Sequence, residues 1–259
     1  MLENLPQDQL ICLAGAAVGL AVLAFGFWRR HEANHLKAFP LTPVAQARYG
    51  SPAAVSGIIQ ATAVMNSPVK GTPCVFYRLL TEHQVEERYK DKHDGQYKNR
   101  WVWKTVGESI DGGFFVGDGS GTALVVPTRR CLDLDGGAET QTDSSIFGGG
   151  TRRTEWILVP GRAACATGTP QGPEAFIAAA TGDPTLAVSP AVIARLRELV
   201  ASAQPVPCYY LDALDTVLDR PYEDAVKSYE DSARVFIQYG GIGAGAGLLF
   251  LAMLHFHVF

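Results

Sequence analysis

Near the two ends of the chain the residues run without a formal charge. Leu10 to Trp28 reads LICLAGAAVGLAVLAFGFW, and Val235 to Phe259 reads VFIQYGGIGAGAGLLFLAMLHFHVF. At about 1.5 Å of rise per residue, ~19 residues cover most of a ~30 Å hydrocarbon core, and ~25 cross it with some tilt. Both segments are therefore expected as transmembrane helices. Between them the pattern shortens to apolar and β-branched runs separated by turn signals: VSGIIQATAV, CVFYRLLTEHQVEERY, WVWKTVGESI, GGFFVGD, TALVVP, TEWILVP and AACATGT. Such spacing predicts a barrel or sandwich of strands. Asp94-Gly95 suits a tight hairpin, and Asp118-Gly119-Ser120-Gly121 suits another between FFVGD and TALVVP. Closure of these strands would hide their edges, as in a small Greek-key barrel.

Two helices follow the strands. PEAFIAA is one, and SPAVIARLRELVASA is the other, opened by Ser189 as N-cap with Pro190 at its first position. In the second, Val192, Ile193, Leu196, Leu199 and Val200 fall at helical spacing and predict a face packed on the β core. The acidic stretch from Asp212 to Asp231 reads as a helical lead-in to the second span. The expected fold is thus mainly β with some α: an OB-like, Greek-key β-barrel domain flanked by two transmembrane helices. Its boundaries are 10–28 for the first span, 53–200 for the β-rich domain, 208–234 for a juxtamembrane connector and 235–259 for the second span.

Charge refines this picture. Only 19 % of the 259 residues are charged, and the formal net charge is −4. The residues before the first span hold no Lys or Arg, and WRRHEANHLK follows it. A cleaved secretory signal has the reverse arrangement, so a retained anchor with an aromatic and basic interface is expected. Arg29, Arg30 and Lys37 follow the first span, and Lys227 and Arg234 precede the second. By the positive-inside rule the β domain faces the cytoplasm. Gly15 and Gly19 in the first span, and Gly241, Gly243, Gly245 and Gly247 in the second, form small-xxx-small steps. These suit close helix packing, either with each other or with another membrane protein.

Chemistry is sparse. Cys12, Cys74, Cys131, Cys165 and Cys208 are widely separated, with no C-x-x-C and no Cys/His pair at zinc-ligand spacing. They read as free thiols packed as small hydrophobes. Asp133-Leu134-Asp135-Gly136 lacks the remaining acidic positions of a calcium loop. His83 and His93 stand beside no nucleophile motif, and neither G-x-S-x-G nor a Walker pattern occurs. No catalytic, cofactor-binding or metal site is expected. The segment from Glu82 to Lys104 mixes bases with Tyr89, Tyr97, Trp101 and Trp103, but Glu82, Glu86, Glu87, Asp91 and Asp94 nearly cancel those bases. The electrostatic footprint of a nucleic-acid binder is missing, which leaves a solvated hairpin or a protein-binding edge.

One ordered set of residues carries a resemblance. Gly57, then Asn66-Ser67-Pro68 with Cys74 and Tyr77, then Phe115-x-x-Asp118-x-x-Gly121 with Val125-x-Pro127, then Glu155 with Gly161 and Gly168, resembles the GIDE or beside-a-membrane domain. That domain occurs between two transmembrane helices in mitochondrial ubiquitin ligases, where a RING finger follows. This sequence holds no RING ligand set, so the resemblance implies a membrane-tethered module rather than ubiquitin transfer by this chain itself. The matched residues have structural explanations: Gly57, Gly121, Gly161 and Gly168 for bends or positive φ, Pro68 and Pro127 for strand ends, Asp118 for capping its turn.

Three functions stay open. The first is a non-enzymatic interaction or scaffold module that meets the bilayer and a membrane-protein partner or a second copy. The second is a ligase-like component acting with a separate catalytic chain. The third is a lipid-sensing or membrane-remodelling domain in which Arg29 and Arg30 contact lipid, joined by Arg129, Arg130, Arg152 and Arg153.

Overall fold

The computed structural model describes residues 7–91, 95–127, 131–134, 139–144, 149–182, 188–210 and 215–255. The chain divides into two compact units: the terminal segments up to Phe39 and from Glu223, and the intervening residues Pro40–Tyr222.

In the first unit, α1 runs Gln7–Lys37. The far end of the chain forms α4, Tyr222–His255. Both are long and apolar enough to cross a membrane, and little of either apolar window is buried within the chain. Leu10, Ile11, Val18, Leu20 and Phe27 on α1, with Ile242, Leu248, Leu249 and Phe250 on α4, are exposed. A core helix of a water-soluble domain would bury such side chains. The helix α1 outlasts its apolar segment because RRHEANHLK holds no helix breaker, and it stops short of Pro40. The helix α4 starts just after Pro221, with Glu223 and Asp224 complementing the positive end of its dipole.

The two helices are antiparallel and meet along a seam of small residues. A Cβ on Gly19 would lie 2.2 Å from the Ala244 nitrogen, and one on Gly26 2.7 Å from the Ile237 nitrogen. One on Gly240 would lie 2.4 Å from the Leu23 nitrogen, and one on Gly247 2.7 Å from the Ala16 nitrogen. Ascending α1 while descending α4 at alternating steps of three and four residues is the left-handed, knobs-into-holes pattern.

In the second unit the strands are β1 Ala53–Ile59, β2 Met65–Asn66, β3 Pro73–Cys74, β4 Phe76–Lys90, β5 Tyr97–Gly112, β6 Phe114–Gly117 and β7 Thr122–Val126. They continue with β8 Leu132–Asp133, β9 Glu139–Ser144, β10 Gly150–Leu158 and β11 Ala163–Gly168. Helices α2 Pro173–Gly182 and α3 Pro190–Ala201 then precede β12 Cys208–Tyr210 and β13 Thr216–Leu218. All seven runs predicted from the pattern are strands. They do not share one sheet, however. A seven-stranded sheet has the order β12-β7-β6-β1-β11-β13-β8, while β5-β4-β10-β9 form a second sheet and β2-β3 a short ribbon.

Among the described residues no barrel closes, because β12 and β8, the two ends of the larger sheet, do not pair with each other; the outer side of β12 makes only a single bridge, Cys208 to Gln171. The reason lies in the long β4–β5 hairpin, which takes β10 as its third strand and removes three of the seven runs from the larger sheet. The residues expected as a connector contribute strands instead: β12 pairs parallel to β7, and β13 pairs with β11 and β8.

Both faces of the larger sheet are covered. On one, Val55, Phe114, Val116, Ala123, Val125 and Val217 pack with Phe76 and Leu158, the sheet-proximal ends of β4 and β10. On the other, Phe115, Leu124 and Val126 pack with Phe176 of α2 and with Val192, Leu196 and Leu199 of α3. Strands buried on both sides must be apolar at successive positions, hence the unbroken FFV and ALVV. Ser189 caps α3 as expected, its hydroxyl accepting from the Ala191 amide at 3.2 Å.

Candidate functional site

Three of the residues carrying the family resemblance converge. Glu155 on β10 is fully buried, and its carboxylate accepts from the Ser67 hydroxyl at 3.0 Å, the Val69 amide at 2.9 Å and the Lys70 amide at 3.2 Å. The Ser67 hydroxyl accepts in turn from the Thr72 amide at 3.1 Å. The 67–72 loop closes on itself through the Ser67 amide to the Thr72 carbonyl at 2.9 Å and the Gly71 amide to the Ser67 carbonyl at 3.0 Å. The carboxylate takes the amides of Val69 and Lys70 at its tip and clasps the loop to the second sheet. Pro68 lies exposed in this loop, and Gly71 completes it at φ +70°. Cys74 is buried nearby, and burial first, then the charge of Glu155, pushes its thiol up to about 11. Tyr77 is raised as well, chiefly by burial and then by Asp111.

A second convergence lies at the β6–β7 turn. Asp118 Oδ1 accepts from the Ser120 amide at 2.8 Å, the Ser120 hydroxyl at 2.6 Å and the Gly121 amide at 3.1 Å, while Oδ2 accepts from the Val44 amide at 2.8 Å. Burial opposes ionisation here, but the hydrogen bonds from Ser120, Val44 and Gly121 outweigh it and hold the carboxyl below its usual range. Gly57 serves close approach rather than a bend, since a Cβ there would stand 2.3 Å from the Gly117 carbonyl oxygen. Gly161 does take positive φ, +82°. Pro127 follows the last residue of β7, and Gly168 ends β11. At Glu155 and at Asp118 alike the carboxylate also accepts from backbone amides, so each hydroxyl–carboxylate pair serves to hold a turn.

The cysteines are free thiols. Burial pushes Cys165 and Cys208 up to about 12, which makes them poor nucleophiles. Among the described residues no group of three or more His, Cys, Asp or Glu side chains is placed to hold a metal. Asp133 lies 3.4 Å from Arg220, whereas Asp135 and Gly136 are outside the described residues. So are His93, Asp94, Arg129 and Arg130. His83 faces Lys104 across the β4–β5 ladder.

That ladder carries the most conspicuous surface. The partnership of β4 with β10 stops at His83, and from Gln84 to Lys90 β4 pairs, among the described residues, only with β5. A two-stranded ribbon is marginal in water without help from its side chains. Here Glu87 accepts from Arg100 at 2.9 Å with Lys104 at 3.5 Å, and Lys98 bonds Asp91. Arg88 lies over Tyr97 at 4.4 Å, and Arg100 over Tyr89 at 5.1 Å. Tyr97 and Trp101 remain 61 % and 50 % exposed. At the base, Arg152 donates to Glu82 at 2.7 Å and lies 4.8 Å from the Trp103 ring. A bulge at Thr81/Glu82 leaves Val106 outside the ladder and sharpens the local twist.

In the helix pair, the expected packing glycines divide. Gly19, Gly243 and Gly247 lie on the seam, whereas a Cβ on Gly15, Gly241 or Gly245 would meet nothing within 4 Å. The sequence reading missed Gly26 and Gly240, because small-xxx-small counting marks steps of four while the seam alternates three and four. Arg29 lies over the Tyr229 ring at 4.4 Å. Arg30 instead lines a groove with Arg234. No family model, curated protein or solved structure matches this chain.

Proposed function

We propose that the chain is a membrane-anchored, non-enzymatic interaction module of the GIDE type, and that the β4–β5 ribbon is the element that docks a protein partner. The ribbon carries the reading. It extends past its sheet without a core beneath it, is held by cross-strand charge and ring contacts, and leaves Tyr97 and Trp101 exposed. Exposed Tyr and Trp side chains, with Arg88 and Arg100 beside them, are the residue types enriched in protein interfaces and their hot spots. The Ser67–Glu155 clasp supports the same reading, since the family-like residues serve the loop's architecture and not a reacting group. On α4, Gly241 and Gly245 leave a small-residue face uncovered, which suits association with another apolar helix or a second copy.

The test is affinity capture from membranes in mild detergent with the full chain and with a variant whose residues 86–101 are replaced by a two-residue Asn-Gly turn, which joins the cross-strand partners Val85 and Val102. The proposal expects specific partners with the full chain and their loss in the trimmed form. An unchanged partner set would refute the ribbon's role, and ubiquitin chains formed by the purified protein with activating and conjugating enzymes would refute the non-enzymatic reading. The orientation proposed is a β domain facing the cytoplasm, supported by Arg29, Arg30, Lys37, Lys227 and Arg234 on the domain side of the spans. Native thiols cannot report it, because four of the five are buried. An Arg162→Cys variant, exposed beside β11, is expected to escape an impermeant maleimide in intact cells and to react once the membrane is opened. Labelling in intact cells would reverse the orientation.

A further inference from the structure

We propose that the groove between α1 and α4 at the polar end of the helix pair binds the phosphate of an anionic phospholipid headgroup. The groove has a volume of about 600 Å³, and Arg30, Asn34 and Lys37 line it from α1, with Glu230, Arg234 and Gln238 from α4. Ala33 and Ala233, 1 % and 3 % exposed, are the small residues that leave room between the helices there.

Depth along the helices selects the ligand. Arg30 stands two residues past Trp28, the last residue of the uncharged run, and Arg234 directly precedes Val235, the first residue of the other run. At about 1.5 Å per residue, both guanidinium stems start within one turn of the hydrocarbon boundary, where the headgroup layer lies. Trp28 is half exposed and Tyr239 65 % exposed, as interfacial aromatics are.

Charge selects the anion. Lys37 bonds Glu230, and the positive charges of Arg30 and Arg234 act on the same carboxylate. Three bases thus share one acid. Neither arginine forms an ion pair among the described residues, in contrast to Arg29, whose guanidinium is stacked on Tyr229. Two guanidinium forks facing one groove match the oxygens of a phosphate, which accepts paired N–H bonds. The amides of Asn34 and Gln238 add neutral donors for headgroup hydroxyls. Basic pockets between membrane helices recognise anionic headgroups on these grounds. The inference rests on the helix pair lying in a bilayer and is independent of what the ribbon docks.

The experiment places the full chain in phosphatidylcholine bilayers and compares the motionally restricted fractions of spin-labelled phosphatidylglycerol and spin-labelled phosphatidylcholine. A preference for phosphatidylglycerol of at least about fivefold is expected, since about fivefold is the effect of a single base at a bilayer surface and two are left over here. Arg30→Gln with Arg234→Gln should bring it to parity, and Arg30→Lys with Arg234→Lys should retain most of it. Glu230→Gln should raise it, an effect that a damaged fold would not produce. Arg162→Gln with Arg197→Gln, in the other unit, should leave it unchanged. Parity in the unaltered protein, an undiminished preference in the Arg30/Arg234 glutamine pair, no rise in Glu230→Gln, or an equal fall in the Arg162/Arg197 pair would each overturn the site. Displacement of the labelled lipid by millimolar inorganic phosphate would overturn it too, because the groove would then be a site for soluble phosphate.

Discussion

Glu155 is the one charged residue in the run TEWILVP, and its carboxylate is held by one hydroxyl and two amides. Glu155→Ala would strand these three donors inside the protein, each costing about 1–3 kcal/mol when left unpaired. A loss of at least ~3 kcal/mol is expected, seen as a fall in the thermal midpoint of the full chain in detergent. A change below ~1 kcal/mol would show that the loop is held by other means. Tyr209 poses the opposite case. Its hydroxyl is buried with no hydrogen-bond partner among the described residues, and burial raises its pKa. Tyr209→Phe removes an unsatisfied polar atom, so stability should hold or rise by about 1 kcal/mol, and a drop would reveal a bond to that oxygen. Asp118 is legible through pH. Its folded pKa is depressed, so its contribution to stability is present above the unfolded value of about 3.9 and is lost as pH falls through the folded value. The stability gap between the protein and Asp118→Asn should therefore be constant near neutrality and shrink below about pH 4.

Among the elements, the helix pair and the ribbon invite separate tests. Gly240→Leu would drive a side chain into the α1 backbone at Leu23, whereas Gly241→Leu, one residue on, enters open space. The first should separate the helices and lower the thermal midpoint of the full chain in detergent, and the second should leave it unchanged. Equal behaviour would remove the seam. Along the hairpin, amides of 84–90 and 97–103 should exchange hydrogen far faster than those of 76–83, which β10 also covers on the other side. Uniform protection would mean that something else supports the ribbon. These elements also show what could be read in advance. The charge-free runs and β-branched runs marked nearly every long element, since their signals are local and periodic. The seam glycines were half legible, because which face of a helix meets its partner depends on the partner.

At the scale of the whole molecule, β8, β12 and β13 were out of reach of the pattern, being short and formed by pairing with strands far away in the chain, and β9 was hidden by its polar sequence although it pairs with the next strand, β10. Sheet membership was equally hidden: nothing local in CVFYRLLTEHQVEERY tells whether it joins the larger sheet or starts its own. Burial of the thiols is likewise a property of the assembled fold. The native protein in detergent should show at most Cys12 reactive towards a maleimide at neutral pH, and all five cysteines after denaturation. Reaction at Cys165 in the native state would mean that β11 opens.

The larger sheet also has a consequence for how the protein is made. Its central strand β1 begins at Ala53, yet its neighbour β11 begins at Ala163, and β13 ends at Leu218, only a few residues before α4. Chains grow at about 5–20 residues per second, so β1 waits on the order of ten seconds for its partner to be synthesised. During that interval the first helix is already available to the bilayer while apolar strand edges stand unpaired beside it. Biogenesis is therefore a race between sheet completion and aggregation at the membrane surface, and a chaperone that shields β1, β6 and β7 until the last strands emerge would decide its yield.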